Sequence, residues 1–212
     1  LKEAAITLLK CAGGNGNLLL NTGPDSLGQI PVDFENRLRD FGRWLTPIAQ
    51  TVYGTKGGPY TPTDQVLSTY RDKSVFLQIL KQSGDTIVLP ALGIKVLNAK
   101  LLNGQPISFI QNRDNLQLIV LSALKDSIAT TVELTLNSNA ANAGIIRPFS
   151  TSGSLAYNKK ITASSSVGQF LHDAYSAIDD NPGTFWVPGR RDSIDVDVYY
   201  GGSAHYSRNK DQ

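Results

Sequence analysis

Between Gly16 and Asn21 three consecutive leucines stand between two asparagines. Such an unalternated apolar run is what a strand buried on both faces shows. Ahead of it, Leu1, Ala5, Leu8, Leu9 and Ala12 fall on one face of a helix. After it, Gly23, Pro24 and Gly28 mark turns, because glycine tolerates positive φ and proline presets its own. Phe34, Leu38, Phe41 and Leu45 then recur at steps of four, three and four, which predicts an amphipathic helix with one apolar stripe. The order is helix, buried strand, helix. One unit of this kind cannot cover both faces of its own strand.

Helical spacing fades after Trp44. The segment 55–63, with Gly57, Gly58, Pro59 and Pro62, reads as a boundary. Beyond it the pattern changes to short strands at 74–80, 86–89, 94–97, 99–102, 107–111, 116–121 and 131–136, each bounded by turn residues. Asn103-Gly104 suits a hairpin turn, since both residues accept positive φ. Short loops imply antiparallel pairing, and the strands predict a two-sheet sandwich. Polar residues from Asn137 to Asn142, then Thr151-Ser152-Gly153-Ser154, mark a further boundary. The expected division is 1–57, 58–150 and 151–212. About 60 residues is thin for a complete β-domain without disulfides, so the last unit is expected to be incomplete.

The 212 residues are 41% hydrophobic, enough for real cores, and the net charge is +2 with basic residues spread along the chain. This pattern offers no footprint for nucleic acid or an anionic membrane. No apolar run approaches the roughly 18 residues that argue for a membrane span. Cys11 is the single cysteine, so no intrachain disulfide forms, and the redox compartment is not legible. Cys11 reads as a small hydrophobe on the first helix. Methionine is absent and the chain opens inside a helix, which suggests a true start upstream.

Several clusters invite a chemical reading. Gly13-Gly14-Asn15-Gly16 resembles a phosphate loop in composition, but it precedes a strand and lacks a following Gly-Lys-Ser/Thr, so it reads as a helix-to-strand turn. His172 and His205 have no ligand or triad spacing. Asp195 and Asp197 lie two apart and share one face of a strand, with Ile194, Val196 and Val198 on the other, which describes a half-exposed strand more simply than a catalytic pair. The stretch 179–184 is rich in oxygen donors, as calcium requires, and equally describes an Asx-rich turn without metal.

The opening segment resembles the end of the catalytic domain of the glycoside hydrolase family 29 α-L-fucosidases. The resemblance rests on Gly16-Asn17-Leu18-Leu19-Leu20-Asn21, Gly23-Pro24-Asp25, Gly28-Gln29-Ile30-Pro31, Gly42-Arg43-Trp44-Leu45 and Tyr53-Gly54-Thr55, in that order. Val88-Leu89-Pro90, the stretch 95–102 and Thr131-Val132-Glu133-Leu134 are similar to the β-sandwich that closes those enzymes. The last unit resembles the start of a discoidin-like, factor 5/8 type C, carbohydrate-binding module, through Ile161-Thr162-Ala163-Ser164-Ser165, Ala177-Ile178-Asp179 and Thr184-x-Trp186. The run 194–201 departs from that module's pattern by lacking a tryptophan and adding a residue before glycine.

The resemblance implies a mixed fold: the last strand-helix unit of a (β/α)₈ barrel, an antiparallel β-sandwich, and a partial discoidin-like β-sandwich. It implies a retaining α-L-fucosidase acting on fucosylated glycans, secreted or periplasmic, with no cofactor for catalysis. Retaining glycosidases place their two catalytic groups about 5–5.5 Å apart. In this family both lie on earlier barrel strands, so no catalytic residue is expected in this chain. Barrel active sites sit at the C-terminal ends of the strands. Asn21 and Thr22 would occupy that end, as substrate-binding residues or as braces of the loop, Asn21 through an Asx hydrogen bond. The module resemblance implies a structural calcium on the Asp179 carboxylate, the carbonyls of Ser176 and Asn181, and the carbonyl and hydroxyl of Thr184, with an acidic residue near the module's end completing the shell. It also makes Trp186 a core residue. The approach 11–17 leans toward the linkage-restricted branch of the family. A non-catalytic carbohydrate-binding sandwich is the alternative.

Overall fold

A computed structural model describes residues 1–82, 84–148, 156, 159–166, 173–179, 185–189 and 196–199. The chain divides into two compact units, Leu1–Ile146 and Arg147–Gln212.

The first unit begins with two helices, α1 (Lys2–Gly13) and α2 (Val32–Leu45), the second running on into a 3₁₀ segment, Thr46–Thr51. Among the described residues eight strands follow: β1 (Lys56–Gly57), β2 (Val66–Arg71), β3 (Ser74–Ile79), β4 (Thr86–Pro90), β5 (Val96–Leu101), β6 (Ser108–Gln111), β7 (Asn115–Ile119) and β8 (Thr130–Leu136). They form a five-stranded sheet in the order β1-β2-β3-β8-β5 and a three-stranded sheet in the order β4-β7-β6. Every ladder between these strands is antiparallel. Val75, Leu77 and Ile79 of β3 and Val132, Leu134 and Leu136 of β8 share a core with Leu89, Leu116 and Leu118 of the other sheet. Alternation along each strand produces this shared face. The two sheets are thus a sandwich.

The opposite face of the larger sheet is covered by helix. Ala5 and Leu9 of α1 pack with Leu67, Ile128 and Ala129, flanked by Trp44, Ile48 and Val52. Phe41 and Trp44 meet at 5.6 Å between ring centroids, the separation of a favourable aromatic pair. The helical face read from Ala5 and Leu9 is therefore a buried one, directed at the sandwich.

Three features differ from the sequence expectation. The strand expected over 16–21 forms no ladder, and Leu19 is 90% exposed with Leu20 at 47%. A parallel strand is buried only by neighbours at its edges and layers on its faces, and among the described residues none forms a ladder with this run or covers Leu19. The strands expected at 94–97 and 99–102 are one strand, β5, with a register shift between Val96 and Asn98. An extra residue in one strand breaks alternation without ending the strand. Finally, β2 forms in a stretch to which the sequence pattern assigns no element. Its polar Ser68 and Thr69 are buried because Ser68 Oγ bonds both the Tyr60 N–H and the Tyr60 carbonyl at 3.0 Å, and Thr69 Oγ1 donates to the Thr51 carbonyl.

In the second unit, β9 (Lys160–Ala163) pairs antiparallel with β10 (Val196–Tyr199), and residues Ala174–Ala177 form a 3₁₀ turn. The expected strand around Asp197 is present, and Asp195 lies outside the described residues.

Candidate functional site

The residues expected to approach a substrate lie on the connection between α1 and α2. α1 stops at Gly13-Gly14-Asn15-Gly16, where Gly14, Asn15 and Gly16 donate backbone N–H groups to Lys10, Ala12 and Cys11 carbonyls at 2.9, 3.0 and 2.8 Å. These amides are consumed in ending the helix, so they form no phosphate cradle. Asn15 takes a positive φ of 60°, which asparagine tolerates better than most residues. Its Oδ1 accepts the Gly57 N–H at 3.1 Å.

That contact seats the connection against the sandwich. A methyl carbon at Gly57 would fall 2.5 Å from the Gly13 carbonyl oxygen and 2.9 Å from Asn15 Cα. Only glycine lets the two backbones approach so closely. Lys10 adds an exposed ion pair at 3.0 Å to Asp64, and the Lys10 ammonium holds that carboxyl below its usual range.

From this anchor the chain runs without helix or strand through Asn21, which is exposed, and Thr22, which is half-buried. The turn after them is closed by Asp25. Its Oδ1 accepts the Leu27 and Gln29 N–H groups, each at 2.9 Å, and its backbone N–H donates to the Gln29 carbonyl at 2.8 Å. The Asx bond considered for Asn21 thus belongs to Asp25, and Asn21 keeps its side chain free of such a turn. Gly28, at φ 77°, completes the loop. Leu27, Ile30, Val32, Phe34 and Leu38 are exposed to different degrees, from 37% to 80%. The apolar stripe of α2 is therefore buried only toward its end, at Leu45.

The proposed calcium ligands fall in the second unit. Ser176 is buried on the 3₁₀ turn, where Asp173 accepts its N–H and Oγ–H at 3.2 Å, and Asp179 is half-buried just beyond. Asn181 and Thr184 lie outside the described residues, as do His172 and His205. Among the described residues no group of three or more His, Cys, Asp or Glu side chains converges. Arg147 pairs with Asp173 at 2.8 Å and lies 4.3 Å over the Tyr175 ring, which holds the turn. Trp186 donates to the Ser165 carbonyl at 3.1 Å and is half-buried.

Comparison with known proteins agrees with the first unit. Residues 2–49 match the α-L-fucosidase family model. This span holds the leucine run, the Asp25 turn and both helices. The chain is a partial relative of the family 29 α-L-fucosidases. It is 31% identical over 137 residues to the plasma α-L-fucosidase of Homo sapiens, covering 58% of this chain and 28% of that protein. The α-fucosidase of Thermotoga maritima, solved with a mechanism-based inhibitor, superposes with a TM-score of 0.56 at 28% identity, covering 63% of this chain and 34% of that one. α-L-Fucosidase isoenzyme 1 of Paenibacillus thiaminolyticus gives a TM-score of 0.59 at 28% identity, covering 65% and 34%. The fucosidase-like region thus corresponds to the C-terminal part of the barrel domain and the sandwich after it. The chain spans about a third or less of the length of these relatives. No described helix is long and apolar enough to cross a membrane.

Proposed function

We propose that this chain is the C-terminal portion of a retaining α-L-fucosidase that hydrolyses terminal α-L-fucosyl linkages of glycans outside the cytoplasm, with nucleophile and acid/base supplied by barrel strands outside this chain. The observation that carries the reading is the fucosidase match over 2–49, the stretch whose leucine run lies uncovered here. A segment patterned for burial on both faces, yet 90% exposed at Leu19, fits a strand whose neighbours are earlier barrel strands. On this reading Asn21 and Thr22 stand at the strand end facing the substrate, and Asp25 shapes the loop beside them. Both chemical steps, attack on the sugar and protonation of the leaving group, need the missing carboxyl groups. The 212-residue chain alone then turns over no fucoside.

The second unit fits as the beginning of a discoidin-like module carrying calcium on Ser176, Asp179, Asn181 and Thr184. The test is hydrolysis of 4-nitrophenyl α-L-fucoside by a polypeptide carrying the upstream barrel strands, with anomeric configuration followed by NMR. Turnover with retention is expected. A folded polypeptide of that length with no turnover overturns the reading, and a glycan array bound by the 212-residue chain would then favour a non-catalytic binding protein.

A further inference from the structure

Away from the barrel connection, the sandwich carries a cleft of about 610 Å³ beside β5 and β6, which are the outermost strands of their respective sheets. That volume lies in the range of about 300–1,000 Å³ typical of ligand sites. Phe109 and Val96 contribute apolar wall, Gln111 and Asn112 contribute amides, and Lys95 and Arg113 contribute charge. Among the described residues no carboxylate lines it. Neither Lys95 nor Arg113 joins an ion pair among the described residues.

The walls are fixed by hydrogen bonds rather than left as loose loops. Gln111 Oε1 accepts the Val96 N–H and Gln111 Nε2 donates to the Ile94 carbonyl, both at 2.8 Å. The Ala91 N–H donates to the Asp114 carbonyl at 2.9 Å, joining the two loops that border the cleft. Asn112 Oδ1 accepts the Asp114 and Asn115 N–H groups at 2.9 and 2.7 Å, which directs its Nδ2 donor away from the turn. A cleft held in this way needs little ordering when a ligand arrives. Its two cations, with no carboxylate among the described lining residues, select for negative charge, Arg113 with the planar fork that suits carboxylate or sulfate.

We propose that this cleft binds an anionic saccharide, with Lys95 and Arg113 on its carboxylate or sulfate, Asn112 Nδ2 on a hydroxyl, and Phe109 against the apolar face of a ring. The saccharide part rests on the reading of the chain as part of a glycan-acting enzyme, whereas the charge selection rests on the lining itself. On that reading the sandwich holds a charged branch of the same glycan whose fucose is removed at the barrel.

The test is isothermal titration of the 212-residue chain with 3′-sialyllactose, lactose 6′-sulfate, neutral lactose and inorganic sulfate. At least one anionic sugar is expected to bind about tenfold or more tightly than lactose, and more weakly on raising salt from about 0.05 to 0.3 M. Which one binds tells carboxylate from sulfate recognition. Lys95→Gln with Arg113→Gln removes the preference while leaving the melting temperature in place, and Phe109→Ala weakens the anionic sugar without changing inorganic sulfate binding. Equal binding of lactose and its charged derivatives, undiminished binding by the double variant, or inorganic sulfate matching the sugars would each overturn the proposal. Binding lost with fucoside turnover intact removes only the cleft. Turnover absent with binding intact removes only the catalytic reading.

Discussion

Truncating Leu19 to alanine should have opposite consequences in two contexts, and the contrast tests how the leucine run is used. Burying a leucine fully is worth about 1.5–3 kcal/mol. Leu19 is 90% exposed, so the tenth that is covered contributes roughly 0.2–0.3 kcal/mol. Leu19→Ala in the 212-residue chain should therefore change the unfolding free energy by less than about 0.5 kcal/mol. In a polypeptide that carries the remaining barrel strands, the same side chain enters a core covered on both faces. The lost transfer energy and the cavity then cost about 2–5 kcal/mol. Leu118→Ala is the control, because Leu118 is fully buried in the sandwich and should cost about 2–5 kcal/mol in both polypeptides. Urea unfolding followed by tryptophan fluorescence reads all four cases. A loss above about 1 kcal/mol in the shorter chain would mean that the run has found a packed partner there. A loss below about 0.5 kcal/mol in the longer one would refute its place as a barrel strand.

Other expectations test the anchor, the sandwich and the second unit. Gly57→Ala should cost about 2–4 kcal/mol by overpacking against Gly13 and Asn15 with loss of the Asn15 bond, against about 1 kcal/mol for Asn15→Ala, and a melting temperature unmoved by Gly57→Ala would refute the close approach. Tyr60 is fully buried, donates to the Pro90 carbonyl at 2.7 Å, and burial pushes its phenol well above the ordinary value of 10.0. Its folded form keeps the proton that the unfolded chain gives up near pH 10, so this contribution is intact below that pH and shrinks as pH rises beyond it. Tyr60→Phe should cost about 1–2 kcal/mol at pH 8, and the gap between the two proteins should narrow in denaturant titrations at pH 10–11. If calcium is held at Asp179, millimolar calcium should raise the melting transition of the second unit relative to EDTA, and Asp179→Asn should abolish the shift; identical melting curves would remove the metal from that loop.

The legible parts of the sandwich are those where burial and polarity coincide. β3, β4, β7 and β8 lie close to where alternation predicts them, since Val75, Leu77, Ile79, Leu116 and Leu118 are both apolar and inward-facing. β2 was illegible for the opposite reason, because Ser68 and Thr69 are buried through hydrogen bonds to backbone distant in sequence. The same holds for the site. Gly23-Pro24-Asp25 announces a turn, whereas nothing local shows that Asn15 reaches Gly57, forty-two residues on, or that Gln111 bridges Ile94 and Val96.

By itself the sequence determined the identity of each element with a strong apolar period, the order of helix, leucine run, helix and strands, and the ordered turn residues that carry the family resemblance. These are local properties, set by side-chain spacing and by the backbone freedom of glycine and proline. The tertiary structure alone decided which apolar residues are covered. It buries Ala5 and Leu9 against Leu67 and leaves Leu19 in solvent, although all four are apolar. Burial depends on what stands opposite a side chain, and that is a property of long-range packing rather than of spacing along the chain.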